Sequence, residues 1–245
     1  KIEKDNWSYI IKTTEWSIRS KKIVVATNGF YQEGLIPQMD GRVLPVISNI
    51  IVTRKLNEDE INAHNFKTFS PIANTKNLLY YYRKLPDNRI LFGTRGDLTG
   101  SDQSNLDMSK KMEKFLKDIF PKWSNVTIDY NWRGLIALSQ KLTPSIGKIE
   151  NEEIYYGFGY NGVGVSAAPW TGKQLSKLVF SSNSKELDIS KIYKGLPKKF
   201  IFPQLRTFYF KLAVWFYAIK DKLNIWYANR NYLRKSINNK QEKKC

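Results

Sequence analysis

Residues 157–162 read Gly157-Phe158-Gly159-Tyr160-Asn161-Gly162, which fits G-x-G-x-x-G letter for letter, between the apolar run "EIYYGF" and the stretch "VSAAPWTGKQLSKLVF". Glycines at that spacing let a strand turn sharply into a helix whose first N–H groups face a pyrophosphate. That chemistry needs a βαβ unit and an acidic residue about 20 residues further on to hold a ribose hydroxyl. Here the next acidic residue is Glu186, preceded by the loop-forming "SSNSK", and too little chain follows to complete a doubly wound sheet. A pyrophosphate cradle is therefore the weaker reading. Yet Gly157, Gly159, Gly162 and Gly164 cost strand and helix stability unless the backbone must pass close to something. Two readings stay open on the residues alone. One is a tight strand-to-helix turn with no ligand; the other is a row of N–H groups at the positive end of a helix, facing an electron-rich group.

Few other residues offer chemistry. The single histidine, His64 in "NEDEINAHNF", excludes a His-rich zinc site and weakens any Ser-His-Asp reading, so it is read as structural or solvent-exposed. The single cysteine, Cys245, provides neither a disulfide framework nor a thiolate metal cluster, and a reducing, cytoplasmic setting is expected. No metal site is expected, and no side chain stands out as a catalytic acid or base.

The elements that must position the glycine loop follow from pattern. "WSYIIKT" and "KKIVVATNG" read as short strands with "TEWSIRS" between them, the second closing on the turn signal Thr27-Asn28-Gly29. "VLPVISNIIVTRKL" reads as a longer extended segment with Pro45 at its beginning or on an edge. "NLLYYYRKLPDNRILFGTRG" predicts a hairpin turning at Pro86-Asp87-Asn88. Met108, Met112, Phe115, Leu116 and Ile119 recur at helical spacing and predict a helix over 107–120 with one buried face, stopped by Pro121. "VTIDYNWRGLIAL" and "EIYYGF" follow as strands, and a helix runs from about Ser166 to Phe180. Beyond Ser181 comes a polar linker, then an aromatic, basic helix over 203–223 with Leu205, Phe208, Leu212, Trp215, Phe216 and Ile219 on one stripe.

At 245 residues, 42% hydrophobic and 14% aromatic, the chain can build one large core or two smaller ones. Forty Lys and Arg against 22 Asp and Glu give +18, a balance that favours polyanionic partners such as anionic lipid, nucleic acid or a phosphorylated cofactor. No nucleic-acid-binding motif occurs, so nucleic acid is not expected. No run reaches the ~20 apolar residues of a transmembrane helix.

Four stretches, in order, carry a resemblance: "KKIVVATNGF", "LLYYYRKLPDNRILFGTRG", "WRGLIALSQKLTPSIGKIE" and "IYYGFGYNGVGV…TGKQLSKLV". Together with "FPQLR…WFYAIKDKL" they resemble the FAD-dependent oxidoreductases of the D-amino-acid-oxidase and glycine/sarcosine-oxidase type, in the branch around gamma-glutamylputrescine oxidoreductase. The resemblance implies FAD as cofactor. It implies that Gly159, Tyr160, Asn161, Gly162, Val163, Gly164 and Val165 lie beside the isoalloxazine ring, with main-chain N–H groups near its N1/C2=O edge. Hydride arriving at N5 leaves negative charge toward N1, which fixed amide dipoles stabilise without reorganising. Ala26, Thr27, Asn28 and Gly29 would lie along the FAD, Gly134 would add a further contact, and Tyr82, Trp132 and Tyr160 are candidates for lining the substrate pocket.

Two departures shape the expected substrate. Amino-acid-oxidising relatives place an arginine shortly after the "W-x-G-L" segment to clamp a carboxylate. Here Ile136 stands in that neighbourhood and Arg133 precedes the glycine, so a small-molecule amine without an α-carboxylate is expected. Leu91 stands where sarcosine-oxidase relatives carry a lysine near the flavin, which leaves the electron acceptor open.

The fold implied is α/β (α+β): a partial FAD-binding domain at 1–36, a sheet-rich substrate domain at 37–142, a return to the FAD-binding domain at 143–182 and a basic extension at 183–245. Nothing before "KIEKDNW" supplies the G-x-G-x-x-G unit that opens family members, so the chain is expected to be the C-terminal part of a longer enzyme oxidising an amine C–N bond. The alternative, from another class, is a non-catalytic basic module binding an anionic membrane or nucleic acid. Peripheral contact with an anionic membrane through the C-terminal helix is compatible with the first reading as well.

Overall fold

The computed structural model describes residues 1–180 and 189–242; residues 181–188, at the start of the expected polar linker, and the terminal residues 243–245 lie outside the described residues. In chain order the first elements are β1 (Ile2–Asp5), β2 (Ser8–Lys12), β3 (Ser17–Ser20), β4 (Ile23–Val25) and β5 (Leu44–Thr53). Next come α1 (Glu58–Ala63), β6 (Ile72–Ala73), β7 (Tyr80–Lys84), β8 (Ile90–Arg95) and α2 (Asp102–Ile119). The last are β9 (Ile128–Leu138), β10 (Ser145–Lys148), β11 (Ile154–Phe158), α3 (Gly164–Phe180) and α4 (Arg206–Glu242). They divide into two compact units, Lys1–Ile47 with Gly134–Thr207, and Ser48–Arg133 with Phe208–Cys245. The chain passes from one unit to the other inside β5, inside β9 and at Thr207–Phe208 in the first turn of α4.

The first unit holds an antiparallel meander, β1-β2-β3, and a sheet ordered β10-β11-β4. "TEWSIRS", read as lying between two strands, supplies β3 itself, because its alternating residues pair with β2 from Ser17↔Lys12 to Ser20↔Tyr9. All five residues of β11 are buried. That is the signature of a strand covered on both faces, and Tyr155 and Tyr156 show the two sides. Tyr155 packs with Ile146, Leu175 and Leu178, under α3. Tyr156 joins Tyr9, Val25, Ile36, Met39 and Phe158 in the opposite cluster. Tyr9 also ties the meander to the start of β11, donating its hydroxyl to Glu152 at 2.6 Å and accepting the Glu153 N–H at 2.8 Å.

The second unit is a sheet ordered β6-β7-β8-β5-β9 with α2 packed on it. Its core joins Ile51, Ile90 and Phe92 to Met112, Leu116 and Trp123. The β7–β8 hairpin closes as expected, with the Leu85 N–H bonded to the Arg89 carbonyl and Asn88 in the left-handed region at φ 65°. The apolar pattern predicts α2 from 107; the structure starts it at Asp102, because the Ser101 hydroxyl accepts the Ser104 N–H at 3.2 Å and caps the helix a turn earlier. His64 ends α1, accepts the Lys122 N–H at 3.1 Å and sets its ring against Phe120 and Trp123. Burial pushes its pKa down. It is a structural histidine.

The C-terminal helix starts at Arg206 and continues well past 223. Asp221, buried on it, accepts the Asn77 and Leu78 N–H groups, each at 3.0 Å, and the Asn77 side-chain amide at 2.7 Å. The stripe from Phe208 through Ile219 faces outward: Phe208 is 61% exposed and Trp215 66%.

Candidate cofactor site

β4 and β11 run parallel, from Ile23↔Ile154 to Val25↔Tyr156, so their C-terminal ends lie side by side. Open α/β sheets take ligands at that end. Ala26 and Thr27 leave β4 there, and Asn28 opens a short turn at φ 48°. The left-handed region is unfavourable for most side chains, and asparagine tolerates it best after glycine. The Asn28 Oδ1 accepts the Gly159 N–H at 3.0 Å. Gly29 is buried against β9, where a Cβ would crowd that of Leu135 at 3.1 Å.

The loop leaving β11 turns through Gly159 at φ 75°, Asn161 at 51° and Gly162 at 97°. Asn161 fastens it to the end of β9. Its main-chain N–H donates to the Ala137 carbonyl at 3.0 Å, its Oδ1 accepts the Ser139 N–H at 2.9 Å, and its side-chain amide donates to the Gly159 carbonyl. Ser139 is 2% exposed, and among the described residues its Oγ has no hydrogen-bond partner. This hydroxyl lies against the loop, 3.3 Å from where a Cβ on Gly159 would sit.

The glycines of the motif have separate roles. Gly157 faces α3: a Cβ there would stand 2.6 Å from the Thr171 Cγ2 and 2.7 Å from the Leu175 Cδ1. Gly159 and Gly162 instead provide handedness. They lead into α3, whose first-turn N–H groups have no partner within the helix and whose residue Val165 is 97% exposed. The arrangement therefore presents main-chain donors at a helix's positive end, held by side-chain bonds from two asparagines. Tyr160, in the same loop, has its pKa pushed up by burial and stays protonated at neutral pH.

Of the residues singled out from the sequence, Asn28, Gly29 and the Gly159–Val165 loop come together in the first unit. Gly134 lies on β9 with open space where a Cβ would project. Tyr82 and Trp132 belong to the second unit. The Tyr82 ring stacks on Phe92 at 6.1 Å and meets Phe120 edge-on at 5.4 Å, within the core, while Trp132 is 45% exposed. Ala137 and Ser139 hold the loop although no motif marks them; their only signal is their position just beyond "WRGL". Among the described residues no group of three His, Cys, Asp or Glu could hold a metal ion.

A parallel strand pair ending on a left-handed loop that opens a helix is the arrangement at which α/β sheets take ligands. The chain belongs to the DAO family, FAD dependent oxidoreductase, whose family model matches residues 1–178. It is 26% identical over 219 residues to "Gamma-glutamylputrescine oxidoreductase" of Escherichia coli (strain K12), an alignment covering 88% of this chain and 49% of the relative. It is 29% identical over 222 residues to "Probable oxidoreductase OrdL" of Haemophilus influenzae, covering 86% and 48%. Glycine oxidase from Geobacillus kaustophilus shares the fold with a TM-score of 0.61 at 17% identity, over 77% of this chain and 48% of that one. L-proline dehydrogenase from P. horikoshii does so at 0.55 and 21%, over 72% and 47%. The chain thus spans about half the length of the curated relatives it matches. The cofactor of its family is FAD.

Proposed function

We propose that the chain forms the flavin-ring end of an FAD-dependent oxidoreductase that oxidises the C–N bond of a small amine resembling gamma-glutamylputrescine. When bound, FAD supplies the hydride acceptor. The observation that carries the reading is the doubly fastened loop: Asn28 and Asn161 hold Gly159–Gly162 in a left-handed path that opens α3. In this reading the Gly159, Asn161 and Val163 N–H groups shape the loop through their bonds to Asn28, Ala137 and Tyr160, and the N–H groups of Gly162, Gly164 and Val165 lie along the electron-rich edge of the ring. Ala26–Gly29 line the cofactor from β4, and the unpartnered Ser139 hydroxyl is the buried polar atom that suits the cofactor's presence. Fixed donors of this kind stabilise developing negative charge without reorganisation.

Two features favour an amine without an α-carboxylate. Ile136, not an arginine, follows Gly134 on β9, and the neighbouring Arg133 is committed elsewhere, donating to the Ser101 carbonyl at 2.7 Å and to Asp102 at 3.1 Å. Tyr160, in the loop itself, is the candidate for lining the substrate pocket, and burial pushes its pKa up, away from use as a base. A cytoplasmic setting is part of the same reading.

The test is to purify the polypeptide encoded by the complete reading frame and record its absorbance. A flavin spectrum that bleaches without oxygen when gamma-glutamylputrescine or a related amine is added supports the proposal. A colourless protein indifferent to FAD overturns it, and bleaching by amino acids alone would overturn the substrate assignment.

A further inference from the structure

We infer that the outer face of α4 is a docking surface for an anionic lipid bilayer, on which the helix lies flat. This inference is independent of the flavin reading and concerns a segment beyond the residues matched by the family model. The inner face of α4 is accounted for: Tyr209, Phe210, Ala213, Val214 and Ala218 are partly covered, and Asp221 is buried and bonded to Asn77 and Leu78. Opposite it runs a second apolar stripe. Phe208, Leu212, Trp215, Phe216, Ile219, Leu223, Trp226 and Tyr227 are all exposed. At 3.6 residues per turn they fall within a sector of roughly 120°, about 28 Å long.

The chemistry at the borders of the stripe identifies the occupant. Lys211 and Lys222 fall along one border and Lys220 along the other, all exposed, and the Arg230 guanidinium lies over the Trp226 ring at 5.3 Å. Tryptophan, tyrosine and phenylalanine between flanking lysines match a helix lying in a headgroup layer, with its aromatic residues at the acyl boundary and its cations among lipid phosphates. Among the described residues no helix is long and apolar enough to cross a membrane, so the geometry is a surface one. A second copy of the chain fits the stripe less well, because +18 on each partner opposes self-association.

The test is co-sedimentation of the polypeptide encoded by the complete reading frame with phosphatidylcholine vesicles, with and without phosphatidylglycerol, alongside tryptophan emission and molar mass in solution. The expected result is binding to the anionic vesicles with a blue-shifted emission, and little binding to neutral ones. Neutralisation of Lys211, Lys220 and Lys222 to glutamine lowers the partition coefficient by about 100-fold, at ~1 kcal/mol per lysine near an anionic surface. Trp215→Ser with Trp226→Ser removes the blue shift; both residues are exposed, so an unchanged circular dichroism spectrum verifies the fold. Equal binding to both vesicle types would overturn the anionic assignment. Absence of binding would overturn the proposal, as would a stable dimer that the Trp215→Ser and Trp226→Ser pair dissociates.

Discussion

Gly157 and Gly162 belong to one spacing motif, yet the structure asks different things of them. A methyl group on Gly157 meets Thr171 and Leu175 under 3 Å, whereas one on Gly162 meets nothing within 4 Å and suffers only from its φ of 97°. Gly157→Ala is therefore expected to overpack the β11–α3 contact and cost about 1–3 kcal/mol, read as a lower urea midpoint at unchanged slope. Gly172→Ala is the control: it lies within α3 with open space around it, and should stabilise by about 0.5–1 kcal/mol. The spacing "GFGYNG" was legible in the sequence and its turn could be foreseen. The division of labour was not, because it depends on α3 folding back over β11, a distance no local pattern records. The Ser139 N–H and Ala137 carbonyl that hold Asn161 were invisible for the same reason.

Secondary structure was most legible where local chemistry and tertiary packing agree. The β7–β8 hairpin follows its Pro-Asp-Asn turn, and α2 follows its apolar spacing, with only its start displaced by the Ser101 cap. α4 shows the opposite case. Its stripe was legible as periodicity, but periodicity does not say which of two apolar faces meets the protein, and Asp221 decides that by accepting three N–H donors. Asp221→Ala leaves the Asn77 and Leu78 amides without their acceptor, at a cost of about 1–3 kcal/mol. Faster hydrogen exchange at those two amides is the measurement, and unaltered exchange would show that the tie does not hold the helix.

Across the whole molecule, carboxylates with lowered pKa link stability to pH. The Arg54 guanidinium holds Glu60 at about 2. The Tyr9 hydroxyl and Lys4 hold Glu152 down, and Lys148 with the Tyr155 hydroxyl does so for Glu153. Burial pushes Asp221 up, but its N–H donors outweigh that and leave it below 3.8. Each group binds its proton more weakly folded than unfolded, so its contribution is present above the unfolded value and is lost as pH falls through the folded one. The thermal midpoint should therefore drop as pH falls from about 4.5 toward 2. Loss of the 22 acidic charges over the same range moves the net charge from +18 toward the +40 of the lysines and arginines, adding self-repulsion. Glu60→Gln should flatten part of that slope.

Both asparagines that fasten the candidate cofactor loop, Asn28 and Asn161, are followed by glycine. Asparagine is a thermolabile residue, and before glycine the next backbone nitrogen attacks its side-chain amide most readily, releasing ammonia and leaving aspartate or isoaspartate. At Asn161 the product would set a carboxylate oxygen where an amide now donates to the Gly159 carbonyl. Chemical ageing is thus aimed at the loop itself. Prolonged storage at alkaline pH should yield a more acidic species on isoelectric focusing, with the altered peptide mapping to residue 28 or 161 and the loop coming loose before the core does.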